Sequence, residues 1–380
     1  MGRSMTRVRM SSRATFLAAL LSLVASQALA ETRIGVAANL SGADSFAGDQ
    51  IIAGATEAIQ AIDGAPPFDG ELRLIPVDDN CEAERAPAAA ALLIEQNVKV
   101  VIGHSCSGPS LAAASIYEDA GVLMISPSAT NVRVTEESGP NVFRVIGRDD
   151  RQGAVAAEHI ATVHQGKSVA VIGDDTAYGS GLAEQTMARL RSLGIEPTFI
   201  ANVTRHGDFT DVVDQLVKQK IEVVYLGGDA PDAGLILRMA NDKGHQLALV
   251  SGDTLGTDEF WLVSSVAGNG TRFTFAPDPR KNSSAADVVA AFREAGREPL
   301  GYTLHAHAAV SVWAEAVRRA GTMDAEAVAS ELRSGEFDTV LGRVGFDENG
   351  DVEGAETFVM YEWRDGKYFE LEGESSEAVR

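Results

Sequence analysis

The chain reads as an α/β protein made of two consecutive, doubly wound parallel sheets. Three observations lead there. Apolar runs of strand length alternate with helix-length segments from residue 33 onward, the alternation restarts after Arg148-Asp149-Asp150, and the strands end in small polar residues. Strand–helix alternation implies a parallel sheet covered on both faces. Two such series in a row imply two similar lobes, and 380 residues suit two domains.

In the first series the strands are Arg33–Leu40, Leu72–Asp79, Val98–His104 and Val122–Pro127, and the helices are near Gly48–Ile62, Ala83–Glu95 and Gly108–Ala120. In the second, strands Ser168–Asp174, Pro197–Asn202, Val223–Gly227 and Ala248–Gly252 alternate with helices near Gly179–Leu193, Phe209–Gln219 and Asp232–Lys243. Tyr302–Ala320 reads as a long helix carrying His305, His307 and Trp313, and Ala325–Ser334 as another. Gly342–Asp351 reads as a hairpin with Asn349-Gly350 in its turn. Phe358–Trp363 and Tyr368–Leu371 read as closing strands, and 374–380 as a frayed tail. No solenoid-length repeat is present.

Residues 1–30 read as an export leader. Arg3, Arg7, Arg9 and Arg13 make a basic start, Ala14 to Ala25 a short apolar run, and Ala28-Leu29-Ala30 a small-residue cleavage site before Glu31. The apolar run is too short to cross a bilayer, and no Cys follows it to carry a lipid anchor. The expected product is exported and soluble. Loss of four arginines takes the formal charge from −22 to −26. That balance argues against nucleic acid and against anionic lipid surfaces. The two cysteines, Cys81 and Cys106, each follow a strand on the same sheet edge, and in an exported protein such a pair points to a disulfide, with two free thiols as the alternative.

The stretch Val98–Asn131 carries the clearest functional signal. Its two strands end in Ser105-Cys106-Ser107-Gly108 and in Ser126-Pro127-Ser128-Ala129-Thr130. In a parallel sheet these endings lie side by side at the carboxyl edge, where α/β proteins bind ligands. Ser107 falls at a helix start, where free N–H groups and the helix dipole favour an anion. The hydroxyls suit a small carboxylate, though cap and turn roles account for the same residues equally well.

Several motifs associated with other chemistry fail. Gly166-Lys167-Ser168 ends like a phosphate-binding loop, but Ala161 stands at the first Gly and a strand follows. Gly103-His104-Ser105 begins like a nucleophile elbow, but Ser107 replaces the closing Gly. Asp347, Asn349 and Asp351 are spaced like a calcium loop, but Val352 replaces its Gly. His305 and His307 lack the spacing for one metal on one helix face and read as structural. No catalytic triad emerges, and neither a metal nor a cofactor is expected.

The segments IGHSCS (102–107) and IYEDAGVLMISPSATN (116–131) resemble the periplasmic leucine/isoleucine/valine-binding proteins of ABC transporters, and the similarity extends through most of the mature chain. The resemblance implies a type 1 periplasmic binding fold: two doubly wound lobes, three crossings and a ligand cleft between them. It implies a first lobe of 31–147 plus 277–355 and a second of 148–276 plus 356–373. It also implies a periplasmic location, a Cys81–Cys106 disulfide, a monomer, and delivery of an amino acid to a membrane permease with its ATPase. The matching positions are Ser107, Ser128, Ala129 and Thr130 for the ligand's carboxylate and amino group. Asp253 matches the acid that pairs with the amino group, and Tyr178 an aromatic of the second lobe. Local alternatives are a helix cap for Asp253 and a core or surface role for Tyr178.

Three departures bear on the ligand. Ala47 stands where an aromatic is common, with Phe46 one residue earlier as a replacement wall. Asp229 follows Leu226-Gly227-Gly228 where branched-chain binders carry an aromatic, and Ser105 is polar where the family tends to be apolar. An unpaired Asp229 carboxylate beside an aliphatic side chain would be costly, whereas a polar or cationic group would suit it. The implied function is an amino-acid importer's binding protein of the branched-chain type, and the departures point to a polar or non-α amino acid. A receptor feeding a chemosensory partner, or an exported enzyme on the same scaffold, are the other classes this reading admits.

Overall fold

A computed structural model describes residues 31–42, 45–68, 70–354 and 358–371. The expected leader and the tail 374–380 lie outside the described residues. The first sheet is built from β1 (Thr32–Ala38), α1 (Ser45–Ile62), β2 (Leu72–Asp78), α2 (Ala86–Glu95), β3 (Val100–Gly103), α3 (Ser107–Asp119), β4 (Leu123–Ser126), α4 (Arg133–Glu136) and β5 (Val142–Arg144). Its strand order is β2-β1-β3-β4-β5, parallel throughout. Every residue of β3, β4 and β5 is buried, as a strand covered on both faces requires.

The second sheet follows from α5 (Asp149–Val163), β6 (Val169–Asp174), α6 (Ala177–Ser192), β7 (Phe199–Val203), α7 (Thr210–Lys218), β8 (Val223–Gly227), α8 (Ala230–Asp242), β9 (Ala248–Ser251), α9 (Asp258–Ser264) and β10 (Arg272–Phe275). The chain then forms α10 (Ala286–Glu294), α11 (Thr303–Ala320), α12 (Ala325–Ser334) and a small sheet of β11 (Phe337–Thr339), β12 (Gly342–Phe346) and β13 (Val352–Glu353). It returns to the second sheet as β14 (Val359–Arg364) and β15 (Lys367–Glu370), giving the order β15-β14-β10-β9-β8-β6-β7. β6 through β10 are parallel, and β14 and β15 are antiparallel additions at one edge.

The sequence reading missed β5, β10, β11, α4, α5, α9 and α10. The three strands are each three or four residues long, too short to show a period. α5 buries its face through Gly153, Ala156 and Ala157, side chains too small for a clear apolar stripe.

Both sheets reverse their winding direction once, between β1 and β3 in the first and between β6 and β8 in the second. Those switch points open a crevice beyond the carboxyl ends of the strands. α11 is buried almost all round, which keeps its His305 and His307 neutral: burial holds both rings down at about 4. It lies directly on α1, so closely that a Cβ on Gly54 would stand 1.9 Å from the Thr303 carbonyl oxygen. Phe68 and Trp313 stack beside this contact at 5.4 Å. α6 begins with a Thr176 hydroxyl accepting the Gly179 N–H at 2.9 Å. Under it, Gly227 of β8 leaves room for the Gly179 carbonyl, 2.3 Å from where a Cβ would sit.

Arg144, fully buried at the end of β5, organises the loop after β4. Its Nε donates to Asp351 Oδ1 at 2.5 Å, and its Nη1 donates to the carbonyls of Ala129 at 3.1 Å and Asn131 at 2.9 Å. Replacing Arg144 with Met removes one of the two cations facing Asp351, leaving Arg148, and strands the Ala129 carbonyl while Asn131 keeps the Val134 N–H, with an expected loss of about 3 kcal/mol in urea unfolding.

Cys81 and Cys106 form a disulfide that closes a loop of 25 residues. Unfolding of the Cys81→Ser, Cys106→Ser double variant should show a loss of about 3.5 kcal/mol, the chain entropy of that loop. A loss below about 1 kcal/mol would mean that residual structure in the unfolded chain already keeps these two ends close.

Candidate functional site

A cavity of about 380 Å³ lies between the two switch points. The first sheet supplies Asn39 beyond β1, Ser105 and Ser107 beyond β3, and Ser128 beyond β4. The second supplies Tyr178 beyond β6, Arg205 beyond β7, Asp229 beyond β8, and Asp253, Thr254, Thr257 and Glu259 beyond β9. Tyr302, just before α11, and Ala47 of α1 complete the wall, with the Cys81–Cys106 disulfide at one side.

The serines are locked to backbone and to each other. Ser105 Oγ donates to Asn39 Oδ1 at 3.0 Å and accepts the Asn39 N–H at 3.2 Å. Ser128 Oγ donates to the Ser105 carbonyl at 2.8 Å, and Ser107 Oγ accepts the Asn131 N–H at 3.2 Å. Ser107 is the first residue of α3, so the helix's free N–H groups point at this wall. Behind it, buried His104 bridges Asp79 Oδ2 at 2.5 Å and Tyr117 Oη at 3.0 Å. This trio contains no nucleophile in the cavity; it props the loop that carries Ser105 and Cys106.

The opposite wall centres on Asp253, which is only 1% exposed. Its Oδ1 accepts from Tyr178 Oη and Gln152 Nε2, both at 2.8 Å, and its Oδ2 accepts from Tyr302 Oη at 2.7 Å. Gln152 also donates to Asp149 Oδ1 at 3.2 Å and accepts from Thr274 Oγ1 at 3.1 Å. Asp149 and Asp253 are thus two buried carboxyls joined by one amide. Burial pushes Asp253 up to about 6, and burial together with the charge of Asp253 pushes Asp149 up to about 7. Burial raises the Tyr178 and Tyr302 phenols, so both stay protonated and donate.

Six acids line the cavity against Arg205 as the single cation among the lining residues: Glu82, Glu84, Asp175, Asp229, Asp253 and Glu259. That excess disfavours an anion and favours a ligand with a positive group. Serine hydroxyls and a helix N-terminus face it from the other wall. The two walls together are complementary to a zwitterion.

Of the residues singled out from sequence, Ser105, Ser107, Ser128, Tyr178, Asp229 and Asp253 line the cavity. Phe46, Ala129 and Thr130 do not. Phe46 is 40% exposed at the start of α1, and its backbone N–H donates to Glu259 Oε1 at 3.2 Å. Successive helix residues point about 100° apart, so with Ala47 in the wall Phe46 is turned away from it. Ala129 and Thr130 are buried beneath the loop, where the Thr130 carbonyl accepts the Asp149 N–H at 2.9 Å. Asp229 is not unpaired: its carboxylate bonds the Arg205 guanidinium. Arg205, Tyr302 and Gln152 were missed. Arg205 and Asp229 are 24 residues apart and Tyr302 and Asp253 are 49 apart, beyond any local pattern.

A family model described as periplasmic binding protein matches residues 31–367. The chain belongs to the leucine/isoleucine/valine-binding family of periplasmic binding proteins. It is 38% identical over 356 residues to an amino acid binding protein of Pseudomonas aeruginosa, covering 92% of this chain and 94% of that one. It is 39% identical over 347 residues to Leu/Ile/Val-binding protein homolog 1 of Brucella suis, covering 90% and 93%. An ABC transporter substrate-binding protein from Desulfitobacterium hafniense, solved in complex with Leu, superposes with a TM-score of 0.73 at 28% identity, covering 90% of this chain and all of that one. Membership in this family makes the chain a substrate-binding protein and not an enzyme, on the type 1 periplasmic binding fold.

The two raised carboxyls set a pH dependence. Their folded pKa values lie above the unfolded one near 4, so between about pH 4 and 7 the folded state binds more protons than the unfolded chain. Stability of the ligand-free protein therefore falls as pH rises through that window. Asp149→Asn should flatten this slope and stabilise the ligand-free protein at pH 8 by about 2–4 kcal/mol in chemical denaturation. An unchanged slope would remove Asp149 from the account.

Proposed function

We propose that this protein is the periplasmic substrate-binding component of an ABC importer for amino acids. The observation that carries the reading is Asp253, a buried carboxylate held by two tyrosines and a glutamine across a cavity from serine hydroxyls and a helix start. The ligand's ammonium sits on Asp253. Its carboxylate sits on Ser107 and the first N–H groups of α3, with Ser128 beside it. Ala129 and Thr130 act from beneath, through the loop that Arg144 holds. The names of the relatives, two amino-acid binders and a leucine complex, support an amino acid as the ligand class.

The lobes are 31–147 plus 277–355 and 148–276 plus 356–373, and hydrogen bonds among the described residues join them across the cleft, these three included. Tyr302 Oη reaches Asp253 at 2.7 Å, Asn131 Nδ2 reaches the Ala177 carbonyl at 2.6 Å, and the Phe46 N–H reaches Glu259 at 3.2 Å. Opening a hinge breaks all three. Ligand favours the closed arrangement because only there does it touch both lobes. The closed form then docks as a monomer to a membrane permease, whose ATPase supplies the energy.

Titration calorimetry of ligand-stripped residues 31–380 against the amino acids tests this. Asp253→Ala should weaken the best ligand by about 2–5 kcal/mol, because the bound ammonium loses its counter-charge. Near-unchanged affinity would remove Asp253 from the site. An ammonium prefers the ionised carboxylate, so affinity should rise with pH through the Asp253 pKa of about 6. Binding about tenfold weaker at pH 5 than at pH 8 is expected from protonation of one such group. A flat profile would mean that no ammonium meets Asp253.

A further inference from the structure

Resting on the amino-acid reading, we propose that the ligand's side chain ends in a carboxamide, read by Arg205 and Asp229 together. Both residues line the cavity, each with a side chain 13% exposed, and they are paired to each other. Asp229 occupies the N-cap position of α8 yet makes no capping bond with its side chain. Its carboxylate is turned to Arg205 instead, in a position where a cap would be the ordinary use.

The pair is fixed from behind. Asp175 Oδ1 accepts the Arg205 backbone N–H at 2.9 Å, and Asp232 Oδ2 accepts the His206 N–H at 2.9 Å. Thr254 Oγ1 donates to the Gly228 carbonyl at 2.8 Å, which holds the backbone entering Asp229. Both side chains therefore start from anchored backbone, as a preorganised recognition element requires.

An ion pair at a cavity wall presents donors and acceptors side by side. A guanidinium is donor only and a carboxylate acceptor only. A carboxamide matches that edge: its oxygen accepts from Arg205 and its NH₂ donates to Asp229. An aliphatic side chain would strip water from the pair and return nothing. A carboxylate side chain would meet Asp229 and the acidic lining, and a cationic one would have to compete with Arg205 for Asp229.

Calorimetry at pH 7.5 with L-glutamine, L-asparagine, L-leucine, L-threonine, L-glutamate and L-lysine as probes decides it. An amide amino acid should bind at least tenfold tighter than the other four. The Arg205→Met, Asp229→Leu double variant should reverse the order of amide and leucine, with the ligand-free melting temperature checked for folding. If that variant does not fold, Asp229→Asn serves, and should weaken the amide at least fivefold while leaving leucine within twofold. Leucine, threonine, glutamate or lysine binding as tightly as the amides overturns the inference and leaves the amino-acid reading standing. So does an unchanged order in the variants. Binding of none of the six, with no other amino acid bound, removes the amino-acid reading itself.

Discussion

A carboxylate that cannot stay buried alone ties the two halves of this molecule together. Asp253 is out of water, and a charge in that position needs donors on every side. Tyr178 and Gln152 come from elements packed with the second sheet, and Tyr302 comes from the start of a helix packed against α1 of the first. The donors of the acid therefore come from both sides of the cavity. Burial raises its pKa despite the three protein donors.

The same economy appears at the opposite wall. The loop after β4 has no helix long enough to stiffen it, since α4 is a single turn. Arg144 supplies the stiffness by holding the carbonyls of Ala129 and Asn131 while Asp351 balances its charge. Thr135 and Arg148 complete that buried network around Asp351. Fixed carbonyls fix the direction of Ser128 and Asn131, and Asn131 in turn reaches across to Ala177. The shape of this wall of the cavity thus depends on a buried cation beneath it.

Much of this was legible locally. The runs VVIG and LMIS are continuous apolar strands, and Ser-Cys-Ser-Gly and Ser-Pro-Ser-Ala-Thr mark their carboxyl ends. A parallel sheet places such ends on one edge, so Ser105, Ser107 and Ser128 could be assigned to a site before any coordinates. Phe46 could not, because one residue of helix rotation decides between wall and solvent. Asp229 was recognised as a departure, but whether it stood alone or paired depended on Arg205 arriving from a different strand.

The sequence by itself determined the strand–helix rhythm, the disulfide partners, the polar strand ends and the acid after β9, because each is a property of neighbouring residues and of chain periodicity. Tertiary structure alone decided that Tyr302 caps Asp253, that Gln152 joins two buried acids, that Arg144 supports the loop after β4, and that Arg205 neutralises Asp229. Apart from Gln152 and Asp149, which are three positions apart, those pairings join residues from 13 to 207 positions apart, and their strength comes from exclusion of water. Local sequence carries no record of which polar groups will share a dry interior; only the packed chain brings them within hydrogen-bond reach.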